Sequence, residues 1–145
     1  MQLCPHSNAK EGEMSAQENL PQLSGTVVWF EIPATDLDAS QKFYETVLGI
    51  KMIKTEQSDD QPNDIVWFHD PSTPGSFGHL YPGTPADMGK GNTIHMLSAD
   101  KLEDVMPRVE PAGGQVISPI IDIPAGRFVY INDPDGNSVG LFNWA

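Results

Sequence analysis

The chain has a single cysteine, Cys4, so no disulfide can close within it, and that suits a reducing compartment. Basic residues are scarce: eight Lys and Arg stand against twenty Asp and Glu, for a net charge of −12. A surface of that sign repels nucleic acid, which needs a basic footprint, and it repels an anionic membrane face. No apolar run reaches the length of a membrane span. The N-terminus lacks the basic-then-apolar pattern of a secretory signal. The expectation is a cytoplasmic protein with a small-molecule partner, and with neither nucleic acid nor membrane. Phosphate loops and nucleophile elbows are also missing. Gly89-Lys90-Gly91 lacks the spacing of a phosphate cradle, and neither Ser76 nor Ser138 sits on a strained elbow.

What the chain does have is 145 residues, 39% of them hydrophobic, enough to bury the core of one domain. Residues 1–24 are polar and aperiodic with two prolines, and they read as a flexible arm. His6 and Cys4 lie in that arm without further ligands nearby in the sequence, so no metal site is expected there. From Gly25 the pattern changes. Thr26 to Ile32 is rich in β-branched and aromatic residues and predicts a strand. Thr35 or Asp36 then caps a helix whose apolar residues Leu37, Phe43, Tyr44, Val47 and Leu48 share a face, and Gly49 stops it. Three strands follow, near 50–54, 64–69 and 76–81.

After a Pro/Gly-rich link at 82–92 the pattern repeats. Residues 93–97 read as a strand, and Leu102, Val105, Met106 and Val109 have helical spacing. Pro107 should keep that helix short or kink it near Glu103. Strands are expected at 115–118, 128–131 and 138–144. Ile65 to Pro71 matches Phe128 to Pro134, Ser76-Phe77-Gly78 matches Ser138-Val139-Gly140, and Leu37 matches Leu102, at offsets of 62 to 65 residues. The expected architecture is α+β: two βαβββ modules, at about 25–82 and 92–145 of one domain spanning 25–145. They form a curved mixed sheet around a central cup, with the helices outside, because one module alone would expose an apolar face. Asp133-Pro134-Asp135-Gly136-Asn137 reads as a type I turn into the last strand rather than a calcium loop.

The segment Phe30 to Ala39 followed by Phe43-Tyr44-Glu45 and Val47-Leu48-Gly49 resembles the opening of vicinal oxygen chelate proteins, the superfamily of glyoxalase, bleomycin-resistance and extradiol-dioxygenase proteins. Ala112 to Val116, and Gly126 through Asp133-Pro134-Asp135-Gly136-Asn137 to Phe142, are similar to its later parts. The resemblance covers about residues 25–145. It implies metal ligands on the first and last strands of each module in those members that use metal. Carried over, those places fall on Trp29, Gly78, Ile94 and Gly140, none of which offers a lone pair. No metal and no cofactor is therefore expected.

An alternative metal set is Glu31, His79 and His95, but both histidines are expected to point away from the cup unless a bulge turns them inward. His69 fits a turn better than a ligand position. Alternation from Trp29 lines the cup with Trp29, Glu31, Leu80, Ile94, Met96 and Phe142, over an open floor at Gly78 and Gly140. Glu31, a lone carboxylate among apolar groups, is the candidate general base. Three functions stay open: a metal-free binder of a small molecule, an enzyme that uses Glu31 without metal, and a metal-dependent lyase (lactoylglutathione-lyase-like) or dioxygenase with relocated ligands. A homodimer is expected, since related single chains often pair and the sheet edges need cover.

Overall fold

The structure, a computed structural model, describes residues 25–75 and 77–145, so the arm at 1–24 and Ser76 lie outside the described residues. The first module runs β1 (Trp29–Ala34), α1 (Leu37–Leu48), β2 (Ile53–Thr55), β3 (Ile65–Trp67) and β4 (Phe77–Pro82). The second runs β5 (Thr93–Leu97), α2 (Leu102–Val109), β6 (Gln115–Val116), β7 (Ile121–Ile123), β8 (Gly126–Asn132) and β9 (Ser138–Trp144). The fold is α+β with mixed sheets. Each module forms its own sheet, in the order β1-β4-β3-β2 and β5-β9-β8-β6, with β7 pairing β8 beside the second. In each sheet the first strand pairs in parallel with the last strand of its module, and the remaining pairs are antiparallel. The short strand β7, Ile121-Asp122-Ile123, was not expected from the sequence. No described helix is long and apolar enough to cross a membrane.

The helix boundaries follow from local chemistry. Asp36 has extended backbone angles, and its carboxylate accepts from Ala39 N at 3.1 Å. Gly49 closes α1 in the left-handed region at φ 67°, where a Cβ would be strained. Helix α2 has only eight residues with Pro107 inside it, as the missing N–H demands. Its cap residue, Lys101, supplies no side-chain bond. Asn143 of β9 does that work: Oδ1 accepts from Leu102 N at 3.0 Å, while Nδ2 donates to the carbonyls of Ser98 and Asp100.

Both helices and one face of each sheet share a single core. Phe43, Tyr44, Val47 and Leu48 from α1 meet Leu102, Val105 and Val109 from α2 within one buried cluster. The predicted turn at 133–137 staples the two modules. Gly136 N donates to Asp133 O at 2.9 Å, the bond of a four-residue turn, with Gly136 at φ 84°. Its side chains then reach back to the first module. Tyr44 donates to Asp133 at 2.8 Å, Thr35 N donates to Asp135 at 3.1 Å, and Asn137 Nδ2 donates to the Pro33 carbonyl at 2.9 Å. Burial pushes the Asp133 carboxyl up, against the pull of the donors around it. Burial also pushes the Tyr44 phenol well above its ordinary range, and the Asp133 charge adds to this.

Paired strands settle which residues share a face, because partners across a ladder point the same way. Ile32 pairs with Leu80 and Val66 with Leu80, and all three are buried on the helix side. In the second sheet Met96 pairs with Leu141 and Ile94 with Val139, again toward the helices. Leu80 (0% exposed) and Met96 (8% exposed) are therefore core residues and not cup lining. Ile94 also packs against the core and borders a groove near the β5 edge.

Candidate functional site

The faces turned away from the helices carry the chemistry. On sheet one the pairing brings Trp29 beside Phe77 and Glu31 beside His79, and His79 beside Trp67 on the next strand. The rings confirm the face: His79 lies edge-on to Trp67 at 4.9 Å and to Trp29 at 5.4 Å, with Tyr81 at 6.3 Å. Trp29 also stacks obliquely on Phe77 at 4.9 Å. The expectation that His79 points away from this face is corrected. Without any bulge, it shares the face with Glu31. His79 Nε2 lies 3.4 Å from Glu31 Oε1, the imidazole nearly enclosed at 7% exposure and the carboxylate open at 61%. Glu31 is thus a solvent-side carboxylate, not one sunk among apolar groups. Enclosure holds the His79 pKa below the ordinary imidazole value, with Glu31 opposing.

On sheet two the same rule pairs His95 with Gly140 and Leu97 with Phe142. His95 is exposed and packs edge-on to Phe128 at 5.0 Å and to Tyr130 at 5.7 Å. It too shares the open face, against the expectation. Phe142 lies there as expected, and Trp144 meets it at 4.7 Å. His95, Leu97, Ile123, Phe128, Phe142 and Trp144 line an open pocket of about 460 Å³. A second, more polar groove of about 680 Å³ runs between β1 and β5, with Trp29, Glu31, Thr93, Asn137 and Ser138 on its walls.

The two glycines expected to floor a cup differ. Gly78 faces the helix side, and a Cβ there would meet the Phe30 ring and its carbonyl at 2.5 Å. Gly140 faces the open side, where the His95 imidazole already fills the space a Cβ would need. By pairing, Glu31 opposite His79 in sheet one corresponds to His95 opposite Gly140 in sheet two. These four are the matching inward places on first and last strands, with Gly140 kept and Glu31, His79 and His95 standing where Trp29, Gly78 and Ile94 were expected. Three of them carry donors. Within one chain the donors do not fit a metal: Glu31 contacts His79, His95 lies on the other sheet, and no group of three or more candidate ligands gathers among the described residues. The sequence reading missed Phe77 and Tyr81 as face residues on sheet one and Leu97 and Phe128 on sheet two. The signal was available in the polar alternation Thr93-His95, which turns away from a core.

A family model described as Glyoxalase/Bleomycin resistance protein/Dioxygenase superfamily matches residues 26–141. A Mycobacterium tuberculosis protein named "Putative glyoxylase CFP32" is 30% identical over 137 residues, covering 81% of this chain. This chain spans 45% of that relative's length, about half. Among solved structures, a glyoxalase/bleomycin resistance protein from Albidiferax ferrireducens aligns with a TM-score of 0.61 at 20% identity, covering 81% of this chain and 98% of that one. TnmS3, an antibiotic binding protein from Streptomyces, aligns with a TM-score of 0.54 at 21% identity, over 83% and 97% of the two chains. At those identities the structural matches speak for the fold alone. The family-model match over residues 26–141 establishes that this protein belongs to the glyoxalase, bleomycin-resistance and dioxygenase superfamily.

Proposed function

We propose that the protein is a small-molecule binding protein whose site is formed by the two aromatic open faces, closed together in a homodimer. The observation that carries this is the exposure of large apolar side chains there: Trp29 45%, Ile53 43%, Leu97 62% and Trp144 69%. Clustered exposed apolar groups on a folded chain mark an interaction surface. The pocket on sheet two is of a size and apolar character suited to a small ligand. A face from one copy set against the complementary face of its partner would bury both sets of rings and enclose the ligand. The likeness to TnmS3, named as an antibiotic binding protein, is in keeping with this reading.

Light scattering of the full chain at micromolar concentration tests the assembly, and a dimer mass is expected. A monomer mass that persists at higher concentration sinks it. A thermal-shift screen of aromatic small molecules tests binding, because a ligand that prefers the folded state raises the melting temperature by mass action. A screen with no shift in any member argues against a binding role.

The places of Glu31, His79 and His95 favour a second reading, in which a dimer brings the three together as a divalent-cation site for lyase or dioxygenase chemistry. Elemental mass spectrometry of untagged protein distinguishes the two. Near-stoichiometric metal that is lost in both Glu31→Ala and His95→Ala supports the second reading. Substoichiometric metal, indifferent to both substitutions, supports the first. We further propose that residues 1–24 form an arm separable from the domain at 25–145.

A further inference from the structure

We propose that His79 is a hydrogen-bond acceptor for the ligand of sheet one, and that this ligand is a flat ring carrying an O–H or N–H donor. The proposal rests on the binding reading above and names the chemistry of what is bound. The imidazole is enclosed, yet among the described residues no group bonds to Nδ1, the single buried side-chain polar atom left so. A buried polar atom without a partner is costly, and native structures rarely leave one without a reason.

The other ring nitrogen settles what Nδ1 offers. Nε2 faces the Glu31 carboxylate, which can only accept. A proton on Nε2 turns an N–H toward that carboxylate, 3.4 Å away, and the neutral ring then presents a bare lone pair at Nδ1. The opposite tautomer would set two acceptors against each other and leave an N–H orphaned instead. Glu31 is in this way a positioning residue: it selects the tautomer.

The walls specify the rest of the ligand. Trp29 and Trp67 stand edge-on to the imidazole, with Phe77 and Tyr81 beside them. Such walls accept a flat ring by stacking or edge contact. Trp29 is the movable one, since it is the exposed member of the set and an exposed side chain changes rotamer readily. A ring that displaces its indole would reach the imidazole.

The test uses the full chain with phenol and its methyl ether, anisole, as probes, followed by NMR titration of the tryptophan indole signals. The two have similar rings, and only phenol can donate. Wild type is expected to bind phenol about fivefold more tightly than anisole, the worth of one net hydrogen bond. His79→Phe should bind both alike. Nitrogen NMR of wild type gives a readout that does not depend on the fold of that variant. The His79 Nδ1 signal should start as an unprotonated ring nitrogen and move on adding phenol but not anisole. Equal binding of the two probes by wild type, or an Nδ1 that already carries the proton, overturns the acceptor role and leaves the binding face standing. Failure of wild type to bind either probe overturns both the acceptor role and the use of sheet one as a binding face.

Discussion

The His95 imidazole lies over Gly140, its ring filling the space where any other residue at that position would place its Cβ. The two are partners across the parallel β5–β9 ladder. Gly78 also makes a close approach, to Phe30 across the β1–β4 ladder, but on the helix side and with the Phe30 carbonyl in the way as well. The two glycines should therefore respond differently to alanine. His95 is exposed and can swing aside, so Gly140→Ala is expected to cost about 1 kcal/mol or less while displacing the His95 ring. Gly78→Ala meets buried backbone and is expected to cost about 3 kcal/mol. Urea unfolding of both variants gives the comparison, and NMR of the His95 ring signals reports the displacement. Equal costs would contradict the assignment of the two glycines to opposite faces.

The Tyr44–Asp133 bond that joins the modules carries a pH signature. The folded phenol is held well above its ordinary range, while in the unfolded chain it titrates near pH 10. Below that pH both states keep the proton and the bond contributes fully. Above it the unfolded chain releases a proton that the folded chain retains, so stability falls as pH rises. Tyr44→Phe is expected to lose about 1.5–3 kcal/mol near neutral pH, the range for a hydrogen bond to a charged group. Its deficit relative to wild type should narrow above about pH 10. Melting temperatures of the two proteins, measured from pH 7 upward, decide the matter, and a constant gap would refute the role given to the phenol.

The fold was legible because its signals are local. Asp36, Gly49 and the 133–137 turn each announce an element boundary through backbone chemistry that needs no tertiary context. The repeat Val66-Trp67 against Val129-Tyr130 also survives, since Val66 pairs with Leu80 as Val129 pairs with Leu141. The faces were harder, because a slip of one residue turns every side chain over. Matching Gly78 to Gly140 by their shared Ser-x-Gly setting made that slip. The pairings instead set His79 in the place of Gly140 and Glu31 in the place of His95. Parallel partners are joined through a long crossover, so no tight turn links β1 directly to β4 and fixes the register of that pair in the sequence. Burial of Leu80 and Met96 on the helix side is the consequence.

Asn143 has a capping role that no local pattern announces, since it lies on a strand 41 residues from the helix N–H it satisfies. Lys101 offers α2 no side-chain cap of its own. Asn143→Ala removes the acceptor for Leu102 N and the donor for two carbonyls together. A loss of about 1–2 kcal/mol is expected, the cost of a deleted helix cap. Chemical unfolding measures it. A loss under about 0.5 kcal/mol, the usual effect of a neutral surface change, would show that water replaces the cap.

The dimer proposal has a direct mutational test in Leu97. Its side chain lies on the open face of sheet two and is 62% exposed within one chain. It buries little in the fold of that chain, and a charge there remains in water. Leu97→Asp is therefore expected to leave the circular dichroism spectrum unchanged. A dimer closed over this face meets the same substitution as an unpaired carboxylate carried into an apolar contact. Burying a charge without a partner costs several kcal/mol, enough to shift a micromolar dimer by more than a hundredfold in dissociation constant. Light scattering of the variant at micromolar concentration should then give a monomer mass where wild type gives a dimer. Ligand-induced thermal shifts should weaken in parallel, because the same face forms a wall of the proposed site. A variant that remains dimeric and keeps its ligand response would remove Leu97 from both the interface and the site, and would place the contact between copies on another surface.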